Sequence, residues 1–376
     1  MQQKLIALAV ATLISAPALA QSNVTVYGLV DMGYSYRSDN IVDGVENRNG
    51  IDSGQAAGSR VGFRGVEDLG NGLKAGFVLE QGLFADTGAG RADGQFSRQS
   101  FLYLSHDAAG TAQLGRVYAP QDSFISGFDP FAGGTVAQVG NIWSLREIRY
   151  NNTIKYISPS FSGFNVTAAY SNSIGVNQSG TTPPPTDQVN ERLSNENDIR
   201  GWGISPMYQN GPLKVGASFQ QRKTHEPVAT NTDRNKRTSW DLGASYDFGV
   251  AKLSAMYGQA RDKDVDALAG SEAKIRQYFV GATVPVFTNG ALLASYGHSE
   301  NTADSANDAE ATQWALGYNH ALSKRTGIYT AYSDISNKGG LNVAGVDQGL
   351  KAAVGDASYP GTGYQRGFQV GIKHAF

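Results

Sequence analysis

Hydrophobic and polar positions alternate along most of the chain. In Val24, Val26, Gly28, Val30, Met32, Tyr34 and Tyr36 one parity is apolar, against Thr25, Asp31, Ser35 and Arg37 on the other. Leu213, Val215, Ala217 and Phe219 oppose Lys214, Gly216, Ser218 and Gln220, and Trp240, Leu242, Ala244, Tyr246 and Phe248 oppose Asp241, Gly243, Ser245 and Asp247. The same holds for Ala251 to Tyr257, where only Met256 breaks the polar parity, and for Trp314, Leu316 and Tyr318 against Gly317 and Asn319. Phe368, Val370, Ile372, His374 and Phe376 close the chain in this way. A period of two predicts strands with one apolar and one polar face. An exported soluble β-sandwich or β-solenoid shares that pattern, so alternation by itself leaves the architecture open.

The connections narrow the choice. Seven tight turns are predicted at 69–72, 107–110, 161–163, 209–211, 248–249, 288–290 and 322–324, most of them built on Asn-Gly or another Gly-containing pair. Such residues supply the positive backbone angles of short hairpins. Between them lie long polar connections near 39–55, 86–95, 117–148, 174–198, 225–236, 262–272, 300–309 and 336–362. Short and long connections alternate strictly, which predicts sixteen antiparallel strands with both termini on the short-turn side. A sheet of that size curls and closes. An even strand count with short turns on one rim and long loops on the other is the pattern of a transmembrane β-barrel. Apolar side chains then face lipid, polar ones face a water-filled interior, and closure pairs every backbone group.

Composition agrees with this inverted arrangement. Only 40% of the 376 residues are hydrophobic, while Gly (46) and Tyr (18) are abundant. The mean hydropathy is −0.31. No stretch is long and apolar enough for a membrane helix. Aromatics such as Tyr36, Trp202, Tyr208, Trp240, Phe248, Tyr318 and Phe376 fall near strand ends, where interface girdles form. The net charge of −2 argues against nucleic acid as a partner.

Residues 1–20 have the features of a cleaved export signal, with Lys4, an apolar run from Leu5 to Ile14, Pro17 and then Ala18-Leu19-Ala20 before Gln21. Cleavage is expected between Ala20 and Gln21, leaving residues 21–376 as a single barrel domain. The chain has no Cys, which excludes a lipid-modified cysteine and disulfide stapling.

Catalytic and metal-binding motifs are missing. The sequence holds no Gly-x-Ser-x-Gly, no phosphate loop and no His pair at ligand spacing; His106, His225, His298, His320 and His374 are scattered. Asp304, Asp308 and Glu310 are expected to be solvated loop charges. No enzyme activity, cofactor or metal site is expected.

An ordered set of segments then resembles a known family. These are Val24-Thr25-Val26-Tyr27-Gly28, Gly58-Ser59-Arg60-Val61-Gly62-Phe63-Arg64-Gly65, Glu67 to Ala75, Leu114-Gly115-Arg116, and Tyr150-Asn151-Asn152-Thr153-Ile154-Lys155-Tyr156. Leu242 to Gly249, Ala321 to Arg325 and the terminal Val370 to Phe376 complete it. Over the whole chain after residue 20 the sequence is similar to the Gram-negative general diffusion porins of the β-proteobacterial type (Neisseria, Burkholderia and Bordetella). The resemblance implies homotrimers of sixteen-stranded barrels in the outer membrane, in contact with lipid and lipopolysaccharide. It also implies passive diffusion of small hydrophilic solutes and inorganic ions, and a terminal Phe376 presented to the barrel assembly machinery.

A sixteen-stranded barrel is wide, so something must narrow it. The connection 117–148 carries Phe124, Ile125, Phe128, Phe131, Val136, Val139, Ile142 and Trp143, too apolar for an exposed loop. It is the third long loop, which in porins folds into the lumen. Its Phe128-Asp129-Pro130-Phe131-Ala132-Gly133-Gly134 resembles the family's constriction turn, although the acid precedes the proline here and Ala132 is interposed before Gly133 and Gly134. By parity Arg60 and Arg64 point inward, opposite Val61 and Phe63, and Arg98 points inward opposite Phe101 and Tyr103. The resemblance maps a basic ladder onto Arg60, Arg98 and Arg149, with Arg37, Arg64 and Lys74 nearby. Asp122 and Asp129 are expected to oppose it across the gap, Glu147 and Arg146 to cancel, and Tyr27 to be the main inward aromatic. The sum predicts mild anion preference. The alternatives are a solute-specific channel of the same fold, for example for organic anions, and a surface adhesin or interaction barrel.

Overall fold

The computed structural model describes residues 24–40, 46–91, 94–143, 146–174, 199–224, 236–263, 272–303, 309–338, 342–343, 346–347 and 363–376. The proposed signal, with Ala20 and Gln21, lies outside them, as do Asp304 and Asp308. The chain begins with β1 (Thr25–Asn40), β2 (Arg48–Ser53), β3 (Arg60–Gly70), β4 (Leu73–Phe84) and β5 (Ala89–Gly90). β6 (Gln99–His106) and β7 (Gly110–Tyr118) lead to helix α1 (Pro120–Ser126) and a 3-10 turn at Val139–Asn141. β8 (Arg149–Ile157), β9 (Phe164–Ser171), β10 (Ile199–Asn210) and β11 (Leu213–Thr224) follow. Next come β12 (Lys236–Asp247), β13 (Lys252–Lys263), β14 (Glu272–Val286) and β15 (Gly290–Asn301). β16 (Glu310–Ala321) and β17 (Thr326–Lys338) precede the two-residue strands β18 (Asn342–Val343) and β19 (Val346–Asp347), and β20 (Tyr364–Ala375) is last.

Sixteen of these strands (β1, β3, β4, β6 to β17 and β20) form one antiparallel sheet that closes on itself, as the alternation of turns and loops predicts. Closure is made by β1 against β20, in register from Leu29↔Ala375 to Asn40↔Tyr364. The seven predicted turns each join two such strands. At the first of them Asn71 (φ 53°) and Gly72 (φ 78°) both take the left-handed backbone that a tight hairpin needs. The last residue completes the ring: Phe376 N–H donates to Gly28 O at 3.1 Å, and Gly28 N–H donates back to Phe376 O at 3.2 Å.

Side-chain direction follows the parity argument on most strands. Leu242, Tyr246, Leu253, Trp314, Leu316, Val370 and Ile372 are exposed on the outer face, whereas Asp31, Ser218, Gln220, Asp241, Gln313 and Gln369 point inward and are buried. β6 departs from expectation. Leu102 and Leu104 are the outward residues, 64% and 49% exposed, and Phe101 and Tyr103 face the lumen on the same side as Val78 and Gly76 of β4.

The hydrophobic core lies inside the barrel, beneath the described parts of the third loop, 119–143 and 146–148. Phe131, Val136, Ala137 and Ile142 of this loop pack on Leu293, Ala311, Ala315, Ala331 and Ile335 of the wall. Phe124, Ile125, Phe128, Val139 and Trp143 pack on Met256 and Phe279. Met256 thus breaks the polar parity of β13 because it sits under the loop. Five wall glycines on successive strands make the seat. A Cβ on Gly243, Gly258, Gly281, Gly297 or Gly317 would come within 2.1–2.7 Å of Phe128, Trp143, Pro130, Ile142 or Phe131, respectively.

Candidate pore constriction

The third loop enters the barrel through Pro120 at the start of α1, a position that needs no N–H donor. It is tied to the wall mainly on one side. Val136 N–H donates to Gln369 Oε1 at 2.8 Å, and Asn141 Nδ2 donates to Gln313 Oε1 at 2.8 Å. Gln121 Nε2 and Trp143 Nε1 donate to the two carboxylate oxygens of buried Asp241, at 2.8 and 3.0 Å. Lys214 Nζ donates to Gly127 O at 3.0 Å.

A second clamp comes from 54–59, the excursion between β2 and β3. Asp31 accepts from Ala56 N–H (2.8 Å), Ala57 N–H (2.7 Å) and Tyr329 O–H (2.5 Å). The excursion so held accepts Thr135 N–H on Gln55 O at 2.5 Å. Asp31 therefore points inward but is consumed in structure.

Because the loop covers β10 to β17 and β20, the open passage runs along the opposite wall. There Arg98 Nε lies 2.7 Å from Glu80 Oε1 and Arg60 Nε 3.5 Å from Glu80 Oε2. Arg98 Nη2 and Arg149 Nη2 donate to Tyr118 O–H at 2.7 and 2.8 Å, and the Arg149 guanidinium lies 4.4 Å over the Tyr118 ring. The three arginines expected as the ladder are thus brought together, around one carboxylate and one phenol. Tyr27 O–H donates to Glu80 at 3.1 Å, and Arg64 stacks over the Tyr27 ring at 5.1 Å as a lower rung.

Other expected members sit elsewhere. Arg37 is buried at the level of the first loop, paired in register with Arg48 and close to Asp52. Lys74 is at the short-turn rim, 3.8 Å from Asp107, six residues or roughly 20 Å along β4 from Glu80. It does not belong to the constriction.

The loop acids do not oppose Arg60 and Arg98 across a gap. Asp129 is turned into its own loop, accepting N–H bonds from Phe131 (3.0 Å), Gly133 (3.1 Å) and Val139 (3.0 Å). With the acid before Pro130 and Ala132 ahead of the glycines, the carboxylate caps the turn that Phe128, Pro130, Phe131, Gly133 and Gly134 form. Burial pushes its carboxyl above the usual range, against the pull of those three donors. Asp122 is buried beside Arg146, at 3.5 Å, and burial raises it too, against the attraction of Arg146, Arg149 and Lys155. Glu147 pairs with Arg222 and Arg237 rather than with Arg146. Buried carboxylates must find donors, and here the loop and its root supply them.

Arg98 reaches the lumen for a reason other than parity. It precedes the first residue of β6 and bonds its N–H to Glu80 O, outside the regular ladder. Glu80, Tyr118, Arg222 and Arg237 are site residues that sequence reasoning missed. Inward parity on β4 was the available signal for Glu80. Tyr27 is joined as an inward aromatic by Phe101, Tyr103 and Tyr118.

The comparisons with known proteins agree with this geometry. A family model described as Gram-negative porin matches residues 7–340. The chain is 37% identical to outer membrane porin protein 32 of Delftia acidovorans, over the full length of both. It is 28% identical to the major outer membrane protein P.IB of Neisseria gonorrhoeae, covering 87% of this chain and 91% of that one. Among solved structures, the anion-selective porin from Comamonas acidovorans superposes with a TM-score of 0.74 at 34% identity, over 94% of this chain and all of that one. OmpT of Vibrio cholerae, in its trimer form, shares the fold with a TM-score of 0.65 at 18% identity, over 94% of this chain and 99% of that one. A closed sixteen-strand barrel narrowed by an inward third loop, matched along its length by these proteins, makes the chain a member of the Gram-negative porin family, an outer-membrane diffusion channel.

Proposed function

We propose that the channel passes small hydrophilic solutes and inorganic ions with a mild preference for anions. The observation that carries this is the cluster of Arg60, Arg98 and Arg149 around the Glu80 carboxylate and the Tyr118 phenol, with Asp129 turned into the loop and Asp122 buried beside Arg146. Guanidiniums stay protonated at any physiological pH. Excess positive charge in a narrow, low-dielectric collar concentrates anions there. The anion-selective relative from Comamonas acidovorans supports the same sign.

The working unit is a homotrimer in contact with outer-membrane lipid and lipopolysaccharide. Outward Tyr and Trp side chains occur on β1, β8 to β10 and β12 to β17, among them Tyr34, Tyr156, Tyr170, Trp202, Trp240 and Trp314, whereas β3, β4, β6 and β7 carry no outward Tyr or Trp. A girdle interrupted on one side suits a surface that meets another subunit instead of the lipid headgroups. Phe376, placed at the closing seam, is the residue presented to the barrel assembly machinery.

Planar-bilayer recording of the purified protein tests the proposal. Openings in groups of three are expected, with a zero-current potential of anion-selective sign in a KCl gradient. Arg60→Ser with Arg98→Ser is expected to move that potential toward cations, and an unmoved potential overturns the assignment.

A further inference from the structure

A cavity of about 340 Å³ opens off the lumen between α1 and the wall of β8 to β11, on the short-turn side of the constriction. Lys155 of β8 and Lys214 of β11 stand at its two sides, and Ser123, Thr167, Phe124 and Met207 lie among its lining residues. Lys155 Nζ uses one bond on Tyr118 O at 3.1 Å, and Lys214 Nζ uses one on Gly127 O. An ammonium has three donors, so each lysine retains capacity for an anion. No Asp or Glu lines the cavity. The acid that acts on Lys155 is Asp122, which already lies beside Arg146. Lys214 also sits 4.8 Å from the Phe128 ring, so its charge borders an apolar wall. Two cations, hydroxyl and amide groups and an apolar face combine as in a site for an amphipathic anion.

We propose that this alcove is a subsite for small organic carboxylates with an apolar body, aryl or alkyl, separate from the arginine cluster. The carboxylate pairs with a lysine in a charge-assisted bond, and the body lies against Phe124 and Met207. Both requirements together make the site prefer an aryl carboxylate over a bare carboxylate and over a neutral amide.

The inference rests on the chain being a channel, and the test separates the two. Phenylacetate, acetate and phenylacetamide are titrated against single-channel current in KCl. Phenylacetate is expected to reduce the current saturably, with acetate and phenylacetamide needing far higher concentrations. Lys155→Gln with Lys214→Gln is expected to raise the phenylacetate half-saturation about tenfold, the loss of one or two charge-assisted bonds. Equal half-saturation in the wild-type and doubly substituted channels, or acetate acting as strongly as phenylacetate, overturns the subsite. A wild-type protein without unitary openings overturns the channel itself. Ligand-observed NMR on the detergent-folded barrel then decides the alcove: phenylacetate broadening lost in the double variant supports it, and no broadening overturns it.

Discussion

At the scale of single residues, Glu80 and Asp129 show how position decides what a carboxylate does. Glu80 is in the wall of the passage, between Arg60 and Arg98. Its neutralisation removes the carboxylate that both Arg60 and Arg98 touch, so Glu80→Gln is expected to shift the zero-current potential further toward anions. Asp129 instead holds three backbone donors within the loop. Each buried donor left without an acceptor costs roughly 1–3 kcal/mol. Asp129→Ala is therefore expected to loosen the constriction turn and raise open-channel current noise, with a smaller shift of potential than Arg60→Ser gives. A shift as large as that of Arg60→Ser places the carboxylate in the ion path instead. The sequence made Asp129 visible as an acid at a turn, but not its direction, because one transposed Pro and one inserted Ala decide which N–H groups the carboxylate meets.

At the scale of elements, legibility depended on how regular the strand is. β1, β12, β16 and β20 present the faces that their alternation predicts, since slipping by one residue would invert every side chain. On β6 the apolar run Phe101-Leu102-Tyr103-Leu104 offers no polar parity, and assigning Arg98 by counting put Phe101 and Tyr103 on the wrong side. Register with β4 resolves it, a pairing that periodicity does not carry. The third loop was recognisable from its apolar content, whereas its seat was not. The glycines at 243, 258, 281, 297 and 317 each appear in sequence as one more inward polar-parity position, and they line up only once the strands are paired. Gly243→Val tests the seat, because a Cβ there comes to 2.7 Å from the Phe128 ring and its nearest neighbours are all loop side chains. The added side chain pushes the loop into the passage, and a lower single-channel conductance than wild type is expected, with folding and trimer mobility on unheated gels retained. Unchanged conductance shows that the loop yields without narrowing the pore.

At the scale of the whole molecule, the formal net charge of −2 and the expected anion preference have opposite signs. Ions respond to the charges within a screening length of their path, which is about 8 Å at 0.15 M and about 3 Å at 1 M salt. Acids paired at the outer rim, such as Glu300 with Arg276 and Glu310 with Lys338, are remote from the arginine cluster and largely screened. The cluster itself lies in the wall of the passage, within a screening length of the ions that pass it. Selectivity set by such a local excess has a specific dependence on salt. The ratio of anion to cation permeability is expected to fall toward that of free diffusion as KCl rises from 0.1 to 1 M, because counterions come to neutralise the collar. Conductance is expected to rise less than in proportion over the same range, since at low salt the arginines already enrich the anion above its bulk concentration. A permeability ratio that stays constant from 0.1 to 1 M speaks for exclusion of cations by size or by a specific site, and against the arginine field.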